Sequence, residues 1–264
     1  MLRVNRPIVL SIGGHDPTGG AGIQADIETT IAHECRACSL VSCLTRQDSR
    51  NIYQVEPQPV EELCRHLETL CADITPDIIK LGLLGSTALI NGLAPMIRAY
   101  NKPIVLDPIL AAGGGYALAD QSFITALNTQ LIPHTTLLTP NQAEARRMSG
   151  HTDLDDAIRY LLDQGCRYIL LTGTDGTDGD HVINTLYSQH APPQHYRWPR
   201  LAHSYHGSGC TLATACASHI AMGKPVAEAV QAAQHYTWHS LQQADQPGRG
   251  QHLPWRSRFV RLAT

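Results

Sequence analysis

The chain has 264 residues, 43% of them hydrophobic and 16% charged, with a formal net charge of −3. That much apolar matter builds a sizeable core, which excludes a disordered chain, and the lack of a basic block excludes a strongly cationic nucleic-acid binder. No apolar run approaches the ~20 residues of a membrane-crossing helix, and the N-terminus reaches Gly13-Gly14-His15-Asp16 too soon for a cleavable signal, so a cytoplasmic location is expected.

The predicted elements alternate. Residues 7–12 form a β-branched apolar run with a glycine-rich exit, a first strand. Residues 23–32 have helical spacing and 39–45 read as a strand. Residues 59–72 place apolar side chains at 60, 63, 67, 70 and 71, one helical face. Strands are predicted at 77–81, 103–106, 136–138 and 168–171. Helices are predicted at 87–100, 121–131, 141–148 and 153–164. Residues 182–187 and 195–198 read as paired strands around a Pro-Pro turn, and helices at 210–221 and 226–242 follow. Short buried runs alternating with helices imply a mostly parallel sheet covered on both faces. One α/β/α sandwich domain over 1–264 is expected, with an irregular tail at 244–264.

The eight cysteines read as reduced thiols, because a chain of this length needs no staples. Cys35-x-x-Cys38 with His33 has the look of half a zinc or redox site, but no second pair completes it, and two small residues flanking a loop is the preferred reading.

Ligands of open parallel sheets sit beyond the carboxyl ends of the strands. The first such end carries Gly13 to Gly22. It is no Walker A loop, since no Gly-Lys-Ser/Thr closes it, and it is a poor dinucleotide fingerprint, but its glycines let backbone approach a ligand. His206-Gly207-Ser208-Gly209-Cys210-Thr211 precedes a small-residue helix, whose first amides and macrodipole favour an anion. There Cys210 should have a lowered pKa. The plain alternative is a helix capped by Ser208 beside an inert Cys210. Asn141 and Glu144 have capping-box spacing. Asp107 ends an apolar strand, where a carboxylate can hold Mg²⁺ directly or through water. Gln47 offers a donor beside an acceptor, which matches an aminopyrimidine edge; a surface glutamine is the plain reading.

Taken together, these segments resemble a known family. Gly14-His15-Asp16-Pro17-Thr18-Gly19-Gly20-Ala21-Gly22-Ile23-Gln24-Ala25-Asp26, Leu44-Thr45-Arg46-Gln47-Asp48-Ser49 and Lys80-Leu81-Gly82-Leu83-Leu84 carry the likeness, as do Val105-Leu106-Asp107-Pro108, Leu138-Thr139-Pro140-Asn141-Gln142-Ala143-Glu144-Ala145 and His206 to Leu212. They resemble the hydroxymethylpyrimidine/phosphomethylpyrimidine kinases of thiamine biosynthesis. The resemblance implies a ribokinase-like fold and ATP-dependent phosphorylation of 4-amino-5-hydroxymethyl-2-methylpyrimidine and of its monophosphate. It also implies site roles. Gly14, Asp26, Thr45 and Gln47 would hold the pyrimidine, and Leu83 would pack on it. Gly207, Ser208, Gly209 and Cys210 would form the anion hole, with Cys210 either the base or only part of its shape. Asp107 and Glu144 would organise Mg²⁺, and Asn141, Thr172 and Gly173 would meet the nucleotide. A homodimer is implied, with no nucleic-acid or membrane partner. The chain departs from the family where Leu83 replaces a common Met, His15 a common Ser or Thr, Gly113 a common flap Lys, and Thr172-Gly173-Thr174 a common Lys-Gly-Gly. The rival readings are a pyridoxal or pyridoxine kinase and a catalytically silent pyrimidine- or nucleotide-binding sensor.

Overall fold

The computed structural model describes residues 5–111, 118–173 and 179–257. Gly113 and Thr174, two of the departures above, lie outside them. In chain order the strands are β1 (Ile8–His15), β2 (Arg36–Gln47), β3 (Ile52–Pro57), β4 (Ile78–Leu81), β5 (Ile104–Leu106), β6 (Leu137–Leu138), β7 (Tyr168–Leu171), β8 (His181–Ser188) and β9 (Gln194–Pro199). The helices are α1 (Gly22–Ala32), α2 (Val60–Asp73), α3 (Thr87–Tyr100), α4 (Gln121–Ala126), α5 (Gln142–Ser149), α6 (Leu154–Asp163), α7 (Ser208–Ala221) and α8 (Val226–Gln242).

All nine strands join one sheet in the order β3-β2-β1-β4-β5-β6-β7-β8-β9. The six from β2 to β7 run parallel, and β3, β8 and β9 add antiparallel edges. The central strands are largely apolar, with Ser11 and Lys80 as buried exceptions, because both faces are covered. In β1, Leu10 and Ile12 face one core and Val9 the other; Ile104 and Leu106 against Val105 repeat the pattern in β5. Helices α2 to α6 build the first core, and α7 and α8, with α1 against α7, cover the opposite face. This is the single-domain α/β/α architecture that the alternation predicts.

Two segments depart from expectation. Nothing in the sequence pattern announces β3, since IYQVEP is an edge strand with a half-polar, half-apolar run. The helix expected over 121–131 ends at Ala126 and widens into a π-type turn, Leu127–Leu131. There the Thr125 and Thr129 hydroxyls donate back to the carbonyls of Gln121 and Thr125, and Asn128 donates to Met148 O, which favours a widened turn. The tail is held in place. Gly250 N–H donates to Ser49 Oγ (3.0 Å), Gln251 N–H to Ser49 O (2.8 Å), and His252 pairs with Tyr205. All eight cysteines are free thiols.

Candidate active site

The carboxyl ends of β2, β1, β4, β5, β6 and β7 open in that order onto one cleft of about 670 Å³. Gln47, Gly14, Leu83, Asp107, Asn141 and Thr172 line it, one from each strand exit. The chain leaves β1 toward β2 on one side and returns through β4 on the other, and ligands bind at such a reversal. Helix α7 packs on β1, β4 and β5, so its N-terminus meets the middle of the row.

That N-terminus is built around Gly207, which occupies the cap position at φ +84°, with no side-chain cap. Ser208 is therefore the first helical residue and not the cap. The first intrahelical bond is Thr211 N–H to Gly207 C=O (3.0 Å), which leaves the Ser208, Gly209 and Cys210 amides ahead of it. All four residues from Gly207 to Cys210 line the cleft. The glycine-rich loop after β1 is drawn against them by Asp16. Its carboxylate accepts from Thr18 N–H (2.8 Å), Thr18 Oγ1 (2.8 Å), Ala21 N–H (2.7 Å) and His206 Nε2 (2.8 Å). Burial works to raise the Asp16 carboxyl, but the His206 bond and charge and the Thr18 bonds together hold it below the usual range. Arg256, 4% exposed, locks the same junction: it donates to Thr211 Oγ1 (2.8 Å), Gly19 O (3.2 Å) and Gly20 O.

Cys210 departs from expectation. Burial pushes its thiol up to about 12, and the nearby Asp107 and Asp26 charges add to that against Lys80. Desolvation at a residue only 5% exposed outweighs the helix terminus, so the thiol is not activated.

At the β2 end, Gln47 Nε2 donates to Thr45 Oγ1 (2.6 Å), which donates to His15 O (2.8 Å). Gln47 Oε1 is buried with no hydrogen-bond partner. Leu83 and Ile52 of β3 supply apolar walls. Gly14 is required by its neighbours: a Cβ there would lie 2.9 Å from Cys43 Sγ and 3.2 Å from Leu83 Cδ2.

Asp26 does not reach the cleft. It is 0% exposed, bonded to Lys80 Nζ at 2.8 and 3.0 Å and to Thr214 Oγ1 at 2.7 Å. It lies beneath the site and fixes Lys80, whose pKa is raised chiefly by the Asp26 charge against its burial. Gly173 also stays out of the cleft. Its amide donates to Asn184 Oδ1 (2.9 Å), and a Cβ would sit 2.0 Å from Ile183 O, so it serves packing against β8. Every other residue expected at the site lines the cleft.

Asn141 and Glu144 form the full capping box. Asn141 Oδ1 accepts from Glu144 N–H (2.8 Å) and Glu144 Oε2 from Asn141 N–H (3.0 Å). The same two residues line the cleft beside Asp107. Burial pushes Asp107 up to about 7 against the pull of Lys80, with the Glu144 and Asp26 charges adding to the rise. Asp107 Oδ2 is buried with no hydrogen-bond partner. Two carboxylates on one cleft, one with an orphaned oxygen, fit Mg²⁺, which keeps several waters and takes one or two carboxylates plus phosphates.

Lys80 and His206 stand inside motifs quoted from the sequence but carry no role there, and Arg256 stands in none. Lys80 carried a legible signal, a lysine inside the apolar run Ile78-Ile79-Lys80-Leu81, which must be paired if buried. The partners of Arg256 are remote in sequence and gave none.

A sequence profile described as phosphomethylpyrimidine kinase matches residues 16–255. The hydroxymethylpyrimidine/phosphomethylpyrimidine kinase of Synechococcus elongatus is 33% identical over 251 residues, 93% of this chain and 95% of its own length. Among solved structures, the pyridoxal kinase of Staphylococcus aureus in complex with pyridoxal superposes with a TM-score of 0.88 at 26% identity, over 97% of this chain and 96% of its own. The phosphomethylpyrimidine kinase of Clostridium difficile superposes with a TM-score of 0.76 at 28% identity, over 88% and 98%. The backbone is thus shared with kinases named for pyridoxal and for phosphomethylpyrimidine, so the fold alone does not distinguish the two.

Proposed function

The chain belongs to the phosphomethylpyrimidine kinase family, and we propose how its cleft carries out the reaction this entails. That reaction is ATP-dependent phosphorylation of 4-amino-5-hydroxymethyl-2-methylpyrimidine and of its monophosphate, in thiamine biosynthesis.

The observation that carries the substrate reading is the orphaned Gln47 Oε1 at the β2 end of the cleft. An exocyclic amino group donates to it, while the amide nitrogen, anchored on Thr45, keeps a second N–H for the adjacent ring nitrogen. Leu83 and Ile52 flank the ring. With the base held there, the hydroxymethyl group points along the strand row toward the α7 amides.

The substrate oxygen attacks the γ-phosphorus in line, the bond to the β-phosphate oxygen breaks, and ADP leaves. The Ser208, Gly209 and Cys210 amides stabilise the equatorial oxygens; one such donor is worth ~3–4 kcal/mol in other enzymes. Asp107 and Glu144 would hold Mg²⁺, which when bound supplies charge neutralisation on the phosphate oxygens. Cys210, pushed up to about 12, keeps its proton and shapes the hole. Asp107 lies beside Gly209, and the carboxylate oxygen not taken by Mg²⁺ is the acceptor assigned to the hydroxyl proton; a loose transition state asks little of it. Asn141 and Thr172 face the nucleotide.

Among the described residues no helix is long and apolar enough to cross a membrane. Eight free thiols suit a cytoplasmic location. Exposed Leu44 and Tyr53 on the β2–β3 edge suit a homodimer.

The test is ADP release from Mg-ATP with the aminopyrimidine alcohol, its monophosphate and pyridoxine as separate substrates. Both pyrimidines should exceed pyridoxine in kcat/KM. A preference for pyridoxine would transfer the chain to the other vitamin kinase, and no turnover on any of the three would leave a binding protein.

A further inference from the structure

The cleft has two ends. Gln47 marks the one at β2; the other, beyond β7, is apolar and aromatic, with Val182, Leu241, Trp198 and Trp238 on its walls. The two indole rings lie 6.3 Å apart at 30°. With the pyrimidine at the β2 end and the α7 amides between, the aromatic end is left for the planar base of the second substrate, since every base presents a π-face to an indole. Both indoles are held by their ring N–H: Trp238 Nε1 donates to Pro199 O (2.9 Å) and Trp198 Nε1 to Gln234 Oε1 (3.0 Å).

Gln234 is the unusual partner. It is 3% exposed, on the face of α8 that otherwise buries Ala229, Val230, Ala233, Thr237 and Ser240. Its Oε1 accepts a second bond, from Asn184 Nδ2 of β8 (2.8 Å), and its Nε2 donates to Val230 O one turn back (3.2 Å). Asn184, also buried, accepts through Oδ1 from Gly173 N–H (2.9 Å), the residue after Thr172. One buried chain of amides thus runs from the exit of β7 through β8 and α8 to the Trp198 ring, and every link of it lies within the described residues. An apolar pair at 184 and 234 would pack β8 on α8 without the desolvation that buried amides cost. What the bonds add is direction, since each end of the chain fixes a group that lines or adjoins the cleft.

We propose that Gln234 is a positioning residue for the nucleotide. Through Trp198 it sets the aromatic wall that meets the base, and through Asn184 it sets the exit of β7, where Thr172 faces the phosphates. It acts through these neighbours and touches no reacting atom. The assignment rests on the kinase reading above. It separates the two ends of the cleft: loss of the Gln234 oxygen loosens the nucleotide end and leaves the Gln47 end as it was.

The experiment compares wild type with Gln234→Met, Gln234→Glu and Trp198→Phe. Methionine keeps the length of the side chain and removes the accepting oxygen, which strands the Asn184 and Trp198 donors. In Gln234→Met, KM for ATP should rise about tenfold, with KM for the aminopyrimidine alcohol within about twofold. Gln234→Glu, which keeps an accepting oxygen, should recover most of the loss. Tryptophan emission gives a readout that packing alone does not move. At saturation with the non-hydrolysable analogue AMP-PCP, the change in emission should be at least halved in Gln234→Met and retained in Gln234→Glu. If KM for ATP stays within about twofold in Gln234→Met, or if both substrates weaken alike, the proposal is overturned. Should that variant fail to fold, Trp198→Phe decides by the same comparison, because it breaks the Trp198 link and keeps the bonds between β8 and α8; an unchanged KM for ATP there overturns the proposal as well. Calorimetry with AMP-PCP separates the two readings. Weakened AMP-PCP binding in Gln234→Met, alongside a wild type that turns over no pyrimidine, would sink the substrate reading and leave Gln234 in place.

Discussion

The carbonyl oxygen of Gly20 occupies the space that a side chain on Gly207 would need: an ideal Cβ there would lie 1.8 Å from it. The loop after β1 and the start of α7 are therefore in backbone contact, and Gly207 at φ +84° is the residue that allows it. Gly209, one turn-step inward, is different, since its Cβ would stand 3.5 Å from Asp107 Oδ2 at ordinary contact distance. Gly207→Ala should therefore lower ADP release by about a hundredfold or more by displacing the α7 amides. Gly209→Ala should retain most activity, whereas Gly209→Asp, which sets a carboxylate against Asp107, should abolish it with the fold intact. Turnover and circular dichroism of the three variants check the contrast; an active Gly207→Ala would detach the site from this helix.

Arg256 clamps that same junction from the tail. It gathers Gly19 O, Gly20 O and Thr211 Oγ1, and its partner Glu28 has a half-exposed side chain. The carbonyl and hydroxyl bonds carry the effect, because an ion pair with an exposed partner contributes little. Arg256→Met leaves three polar atoms unpaired and should cost about 3 kcal/mol. A point charge cannot reach all three, so Arg256→Lys should recover little. Chemical denaturation of both variants, with ADP release alongside, tests this; an unchanged midpoint in Arg256→Met contradicts it.

Cys210 and Asp107 divide on pH. A thiol pushed up to about 12 does not titrate between pH 6 and 9. Cys210→Ala should thus give a modest loss of kcat, about tenfold or less, with the wild-type pH profile retained. A variant whose profile loses a limb would restore the thiol as base.

Asp107 has its folded pKa pushed up to about 7 from an ordinary 3.8. Between those values the native state holds the proton that the unfolded chain has released, so stability falls as pH rises through this window. The cost is complete above the folded value and absent below the unfolded one. Asp107→Asn should remove it, stabilising the unliganded protein by up to ~4 kcal/mol near pH 8 and by little near pH 4, while turnover collapses. Thermal melts of both proteins across that range decide it. Equal melting at pH 8 would place Asp107 in a more solvated setting than the cleft shows.

The row of strand ends was legible because each is marked by a local change, an apolar run stopping at a polar or glycine residue. Asp107 after Ile104–Leu106 and Asn141 after Leu137–Leu138 show this well. The capping box was legible for the same local reason. What stayed hidden depends on burial and on partners distant in sequence. Asp26 read as a ligand contact because the sequence does not show Lys80 taking both its oxygens. Cys210 read as activated because a helix terminus is visible in sequence and desolvation is not. Arg256 bonds Gly19, 237 residues away. The edge strand β3, which brings Ile52 to the cleft, lacks a periodic pattern because only Ile52 in it is buried.

In the proposed reading, substrate choice falls to Gln47. Its Oε1 is buried without a partner, and its amide nitrogen is already oriented by Thr45, so the pair is set to read a donor beside an acceptor. Leaving such a group unpaired costs ~1–3 kcal/mol, which is about 5- to 150-fold in discrimination. An aminopyrimidine satisfies it and pyridoxine, with no exocyclic amino group, does not. Gln47→Leu should lower kcat/KM for the aminopyrimidine alcohol within that range, leave KM for ATP within about twofold, and narrow the gap to pyridoxine. Thr45→Val, which frees the amide to rotate, should produce a smaller shift in the same direction. Specificity constants for both alcohols in the three proteins give the answer. If Gln47→Leu keeps the wild-type preference, the pyrimidine is read elsewhere in the cleft, and the orphaned oxygen has some other partner in the bound state.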